Sequence, residues 1–211
     1  MAECDVDIGN NRYGISDGVS APVRGGKTGE MIIGQAHGEF YEATVRSNVF
    51  YAATAVAGVS IGTSLSTTAA FYLHNPVGSG KNLSLIAVSI GYLSGTMGSG
   101  AAYLCTHTGV SVANPTGTAI TPRPTLLGGN AVGVGLAFTT ATVTTQIAIR
   151  PICSFGPFLA TTVFQPTALK DSINGEIVVA PGFGVGVHGI ATAGTTDRVL
   201  IGCTWEEVNI S

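Results

Sequence analysis

Leu83-Ser84-Leu85-Ile86-Ala87-Val88-Ser89-Ile90-Gly91-Tyr92 alternates apolar residues with small or polar ones. A period of two is the signature of a strand with one buried face. The phase slips at Ile86, which predicts a bulge there or a strand buried on both faces. Outward from this run the pattern repeats. Val49-Phe50-Tyr51, Phe71-Tyr72-Leu73, Ala101 to Thr106, Ala131 to Phe138, Thr142 to Arg150, Glu176 to Ala180 and Phe183 to Ile190 are short and β-prone, bounded by Gly, Pro or Asn. The final run puts Val199, Ile201, Cys203 and Trp205 on one face, with Leu200, Thr204 and Glu206 on the other. Only Gly38 to Asn48 has a helical option, through the i,i+4 pair Glu42 and Arg46. Tyr41, Thr44 and Val45 fit a strand as well, and a strand is the expectation. The fold class is all-β: an antiparallel β-sandwich or jelly roll.

Residues 1–29 break this pattern. They hold Gly-Asn-Asn, Ser-Asp-Gly, Ala-Pro and Arg24-Gly25-Gly26-Lys27, all turn signals, with no apolar period. The expected organisation is an extended N-terminal arm over 1–29 and a β-sandwich domain over 30–211.

The 211 residues suit one domain with an arm. A chain of that length buries roughly 70% of its unfolded surface and needs no staples. The four cysteines, Cys4, Cys105, Cys153 and Cys203, lie far apart with no C-x-x-C pair, so reduced core thiols are expected over a zinc site or a disulfide. With 45% hydrophobic and 10% charged residues, the composition is opposite to that of a disordered chain. A net charge of −3 argues against nucleic-acid binding. No window offers the ~18 apolar residues of a membrane helix, and Met1-Ala2-Glu3-Cys4-Asp5 lacks a secretory n-region.

Charge placement says more. Eleven of the 21 charged residues lie between Glu3 and Arg46. Between Lys81 and Lys170 only Arg123 and Arg150 are charged. A monomer ordinarily intersperses charge over its surface. A neutral stretch rich in Thr, Ser, Gly and Ala suits a surface covered by other subunits, where charge is costly to desolvate.

Chemical motifs fail on inspection. Gly78-Ser79-Gly80-Lys81-Asn82 has Asn75 where a P-loop needs its first glycine, Asn82 where it needs a hydroxyl, and a strand instead of a helix after it. Gly184-Val185-Gly186-Val187-His188-Gly189 matches G-x-G-x-x-G, but no helical period follows, so alternating small residues in a packed strand explain it. His37, His74, His107 and His188 lack ligand spacing and read as solvated or hydrogen-bonded. Gly91-Tyr92-Leu93-Ser94-Gly95 has the wrong spacing for a nucleophile elbow. Glu39 with Glu42, and Glu206 with Glu207, are the close carboxylate pairs; the latter two should point to opposite faces of a strand. Trp205 reads as a core anchor rather than a sugar platform. No catalytic, cofactor-binding or metal residue is assigned, and the chain is not expected to be an enzyme.

Three stretches carry a resemblance: Thr28 to Ala43, Tyr72 to Leu83 with its Asn75-Pro76-Val77-Gly78-Ser79-Gly80-Lys81-Asn82 core, and Ile201 to Val208 with its Trp205-Glu206-Glu207 close. Together they resemble virion structural proteins of tailed bacteriophages. The resemblance implies a β-sandwich or jelly-roll subunit on the particle, usually oligomeric and often trimeric, with no catalytic residues. The function expected is a capsid decoration (cement) or head-fibre protein that binds the phage major capsid protein or other virion proteins. It would be a homotrimer located in the virion after assembly in host cytoplasm, binding no nucleic acid and no membrane. The alternatives are a receptor-binding module at a tail or fibre tip, and a cellular carbohydrate-binding β-sandwich.

Overall fold

In the computed structural model the described residues are 38–107, 113–144, 146–156, 168–190 and 194–210. The expected arm and the apolar run Met31-Ile32-Ile33 lie outside them. Residues 42–211 form one compact unit.

Among the described residues one short helix, α1 (Tyr41–Val45), precedes twelve strands. These are β1 (Val49–Ala53), β2 (Thr68–His74), β3 (Lys81–Met97), β4 (Gly100–His107), β5 (Thr116–Ile120), β6 (Arg123–Pro124), β7 (Leu136–Thr142), β8 (Gln146–Phe155), β9 (Ala168–Ser172), β10 (Val178–Val179), β11 (Gly184–Ile190) and β12 (Gly194–Asn209). The first sheet runs β10-β3-β12-β1-β6, with β9 also on β3, and the second runs β5-β7-β2-β11-β4-β8. Every pairing is antiparallel.

The order has a simple origin. β1 pairs β12, β2 pairs β11, β3 pairs β9 and β10, and β4 pairs β8. That is one long double ribbon. Rolling it up adds β12 against β3 and β11 against β4, which is the jelly roll of two nested Greek keys. The segment β5 to β7 is inserted between β4 and β8. It extends both sheets on one flank, β7 beside β2 and β6 beside β1.

The core lies between the sheets. Phe50, Leu83, Leu85, Val88, Ile90, Val199, Ile201 and Trp205 from the first meet Phe71, Leu73, Leu104, Val185 and Val187 from the second. The slip at Ile86 is a bulge: Thr204 pairs Ala87 while Trp205 pairs Leu85, leaving Ile86 as the extra residue. The alternation expected for the last strand also holds, with Trp205 buried in the core and Leu200 exposed.

Three local expectations are corrected. Tyr41–Val45 is helical, not extended. The Arg46 amide donates to the Glu42 carbonyl at 3.0 Å and their side chains pair at 3.6 Å, so the local pair outweighed β-propensity. Ala131 to Gly135 is irregular, and β7 begins only at Leu136, because the Val134 and Gly135 amides bond a carboxylate instead of a neighbouring strand. The run Thr142 to Arg150 is divided between the end of β7 and the start of β8. Nothing in the alternation pointed to β5 and β9.

Candidate functional site

Lys81, the lysine of the near P-loop, opens β3, where its Nζ donates to Glu207 Oε2 at 3.1 Å. Glu207 is wholly buried. Its Oε1 also accepts from the Val134 amide at 2.8 Å, the Gly135 amide at 3.0 Å and Trp205 Nε1 at 3.4 Å. A buried carboxylate is tolerated when donors satisfy it in this way. It fixes the far end of the β6–β7 loop against the last strand. A Cβ on Gly133 would sit 2.6 Å from Glu207 Oε1, so the loop approaches as closely as glycine permits. Glu206, its neighbour, is on the opposite face of β12, as the alternation required.

That anchored loop displays apolar side chains. The Gly129 amide donates to the Leu126 carbonyl at 2.9 Å and Gly128 has φ of 88°, a type II turn with Leu127 at its first corner. Leu127 is 86% exposed and Val132 91%. Val77 in the β2–β3 turn, and Val208 and Ile210 at the end of β12, are also exposed. They belong to the same end of the sandwich, since the Ile210 amide donates to the Gly80 carbonyl.

The Gly184 to Gly189 run is strand β11. Its outward positions 184 and 186 are empty because Tyr72 and Gln146 lie across them: a Cβ on Gly184 would meet Tyr72 Oη and Cζ at 2.4 Å, and one on Gly186 would meet Gln146 Oε1 at 2.7 Å and Tyr72 Cδ2 at 3.0 Å. Gly184→Ala should therefore cost ~1–3 kcal/mol through overpacking. A urea titration in which the Gly184→Ala midpoint matches the parent chain would refute this packing account.

Three of the four histidines converge, which spacing alone did not reveal. His74, His107 and His188 fall on the outer face of the second sheet, brought there by β2, β4 and β11. None is solvated: their exposures are 0%, 3% and 1%. Tyr72 stacks on His74 at 6.3 Å and lies 6.2 Å from His107, which stacks on Phe183 at 5.7 Å. Burial lowers His74 to about 4, with a further push from His107 and an opposing pull from the Phe183 carbonyl. Burial alone lowers His188 to about 4 and raises the Tyr72 hydroxyl. The Gln146 amide nitrogen donates to the Ser66 carbonyl at 3.2 Å and meets His188 Nε2. Tyr72 Oη and both ring nitrogens of His107 have no hydrogen-bond partner. Among the described residues no group of three His, Cys, Asp or Glu side chains could hold a metal ion. His37 lies outside them.

The free cysteines Cys105, Cys153 and Cys203 are buried or partly so, and burial raises the thiols of Cys105 and Cys203 to about 12, the behaviour of inert core thiols. Cys4 lies outside the described residues. Arg150 on β8 reaches Asp171 at 3.0 Å and Glu176 at 2.6 Å, clamping the two sheets where β8 and β9 form their open flank. Both edges of the second sheet carry register shifts, on β8 against β4 and on β5 against β7. Such bulges discourage strand-to-strand association.

No protein-family model and no curated protein sequence matches the chain. Among solved structures it aligns with a chain of "Israeli acute paralysis virus heated to 63 degree - full particle". That alignment covers 100% of this chain and 87% of the other, at 10% identity and a TM-score of 0.26. The functional reading therefore rests on the chain's own residues.

Proposed function

We propose that this chain is a non-enzymatic structural protein of a virus particle, a capsid decoration or head-fibre subunit that works as a homotrimer. The observation that carries the reading is a long, nearly charge-free stretch of chain that displays apolar tips. From Lys81 to Lys170 the interior of the chain holds only Arg123 and Arg150 as charges, and Arg150 is held by two carboxylates. On the same stretch stand Leu127 and Val132, almost fully exposed on a loop tied down by Glu207. A rigid apolar tip loses little entropy on docking and gains the burial of its side chain. The jelly-roll order and the resemblance to phage virion proteins support the same class, although a fold by itself hosts many functions. With both edges of the second sheet bulged, association through loops and faces is the mode the surface favours.

Residues 1–29, which carry Glu3, Asp5, Asp7, Arg12, Asp17, Arg24 and Lys27, are the proposed capsid-binding arm. Three such arms on one trimer raise the effective concentration of each.

Sedimentation tests the assembly. The parent chain should run at three times its 21.3 kDa mass. Leu127→Asp with Val132→Asp should shift the population towards monomer by at least about tenfold, a change worth ~1.4 kcal/mol. A single 21.3 kDa species of the parent at micromolar concentration would refute the trimer.

A further inference from the structure

We propose that the two flanks of the sandwich are the complementary halves of one head-to-tail contact between copies of this chain, in which the β6–β7 flank of one subunit seats on the β8–β9 flank of the next. This deepens the trimer reading and rests on it.

The flanks lie at opposite ends of the strand order. β5 and β6 close one side of the two sheets, and β8 with β9 and β10 closes the other. Each flank carries groups that its own chain leaves unanswered. On the first, Arg123 is the single charge between residues 113 and 142. It is exposed and has no ion-pair partner among the described residues. Leu127 and Val132 stand beyond it on the anchored loop. On the second flank Arg150 is held by Asp171 and Glu176, and one guanidinium against two carboxylates leaves one negative charge. Lys170 does not cancel it there, because alternation puts Lys170 on the other face of β9 from Asp171. Ile147 and Ile149, on the edge strand β8, are half exposed. A free cation thus matches an excess carboxylate, and an apolar loop matches an apolar strand.

The heights match as well. Cyclic symmetry rotates a subunit without sliding it along the axis, so groups that meet across the contact share one height. With the axis parallel to the strands, height is read along the cross-strand rows. One row of the first sheet runs Arg123, Tyr51, Thr204, Ala87, Ser172 and ends beside Asp171. In the second sheet Leu136, where the loop ends, is in row with His74 and Gly184. The next row passes from Val185 through Thr106 to Ile147. Rotation therefore brings Arg123 level with the acidic pair and the loop level with Ile147. A two-fold contact of the first flank with its own copy would instead set Arg123 against Arg123. The register shifts on β8 and β5 disfavour joining by strand addition, so side chains make the contact.

Sedimentation of the full-length protein tests this. Ile147→Asp with Ile149→Asp should weaken the trimer by at least about tenfold, and so should Arg123→Glu, which faces two carboxylates. Adding Glu176→Arg to Arg123→Glu should recover most of that loss, since the pair returns with its signs exchanged. Val56→Asp, an exposed apolar position beside Val199 and away from both flanks, should leave assembly unchanged. A trimeric parent whose assembly is indifferent to the Ile147 and Ile149 changes overturns this contact and leaves the trimer standing. So does a double charge reversal that assembles no better than Arg123→Glu alone. A monomeric parent removes both readings. Hydroxyl-radical footprinting of the parent trimer gives the same answer without any variant. Val132 and Val56 are equally exposed in the single chain, at 91%, and Ile147 and Ile210 are alike at 50% and 48%. In the trimer Val132 should label at least about threefold less than Val56, and Ile147 less than Ile210. Equal labelling within both pairs overturns the proposal.

Discussion

Glu207→Ala is expected to lower the unfolding free energy by ~3–5 kcal/mol, the cost of breaking a buried, fully hydrogen-bonded ion pair. The change strips the Val134 and Gly135 amides and Trp205 Nε1 of their acceptor, and leaves Lys81 without its partner. Lys81 recovers part of the loss by turning to water; the two amides, folded under the loop, have less freedom to do so. At about 2–4 °C per kcal/mol for a domain of this size, the melting temperature should drop by roughly 10 °C. Glu207→Gln separates charge from geometry. It keeps an acceptor for the loop amides and loses the pairing with Lys81, so it should cost ~1–2 kcal/mol. Calorimetry on the two variants gives the test. Equal losses would mean that the charge, rather than the loop anchorage, is what Glu207 provides.

Trp205→Ala should be comparably severe, at ~3–5 kcal/mol, because it empties the largest fully buried side chain. The indole stacks on Phe50 at 6.3 Å, and its ring edge fills the space where a Cβ on Gly135 would stand, 3.1 Å away. Trp205 and Glu207 share a hydrogen bond and both brace the loop at Gly135. Their combined loss should fall short of the sum by ~0.5–3 kcal/mol. Strict additivity in a double-mutant cycle would show that the indole and the carboxylate support the loop separately.

Alternation made most of the strands legible, since a half-buried strand must repeat every second residue. It also located the bulge, because an extra residue at Ile86 has to shift the phase of everything after it. Legibility failed where long-range partners override local pattern. Ala131 to Phe138 reads as a continuous strand, yet its first part bonds a carboxylate more than seventy positions away. β5, Thr-Gly-Thr-Ala-Ile at an edge, buries too little to need a pattern. The histidines looked isolated because spacing along the chain says nothing about strands that become neighbours on rolling up. The paired glycines of β11 are legible as packing residues, but not that Tyr72 and Gln146 are what they accommodate. Alternation does place Glu207 on the Trp205 face and Glu206 on the other, but no local signal says that Glu207 ends as a buried ligand of four donors.

The position of β12 has a consequence for how the molecule comes into being. It is the central strand of the first sheet, inserted between β1 and β3, and it is translated after both of them. Until it emerges from the ribosome, β1 and β3 have no common partner and the apolar faces of Phe50, Leu85 and Ile90 remain open. The first sheet cannot close early. Its closure must wait for synthesis of β12, and then for contacts with strands roughly a hundred residues or more earlier in the chain, the kind that form slowly. During that interval the chain is exposed to self-association, and a chaperone that holds nascent β-strands would act there.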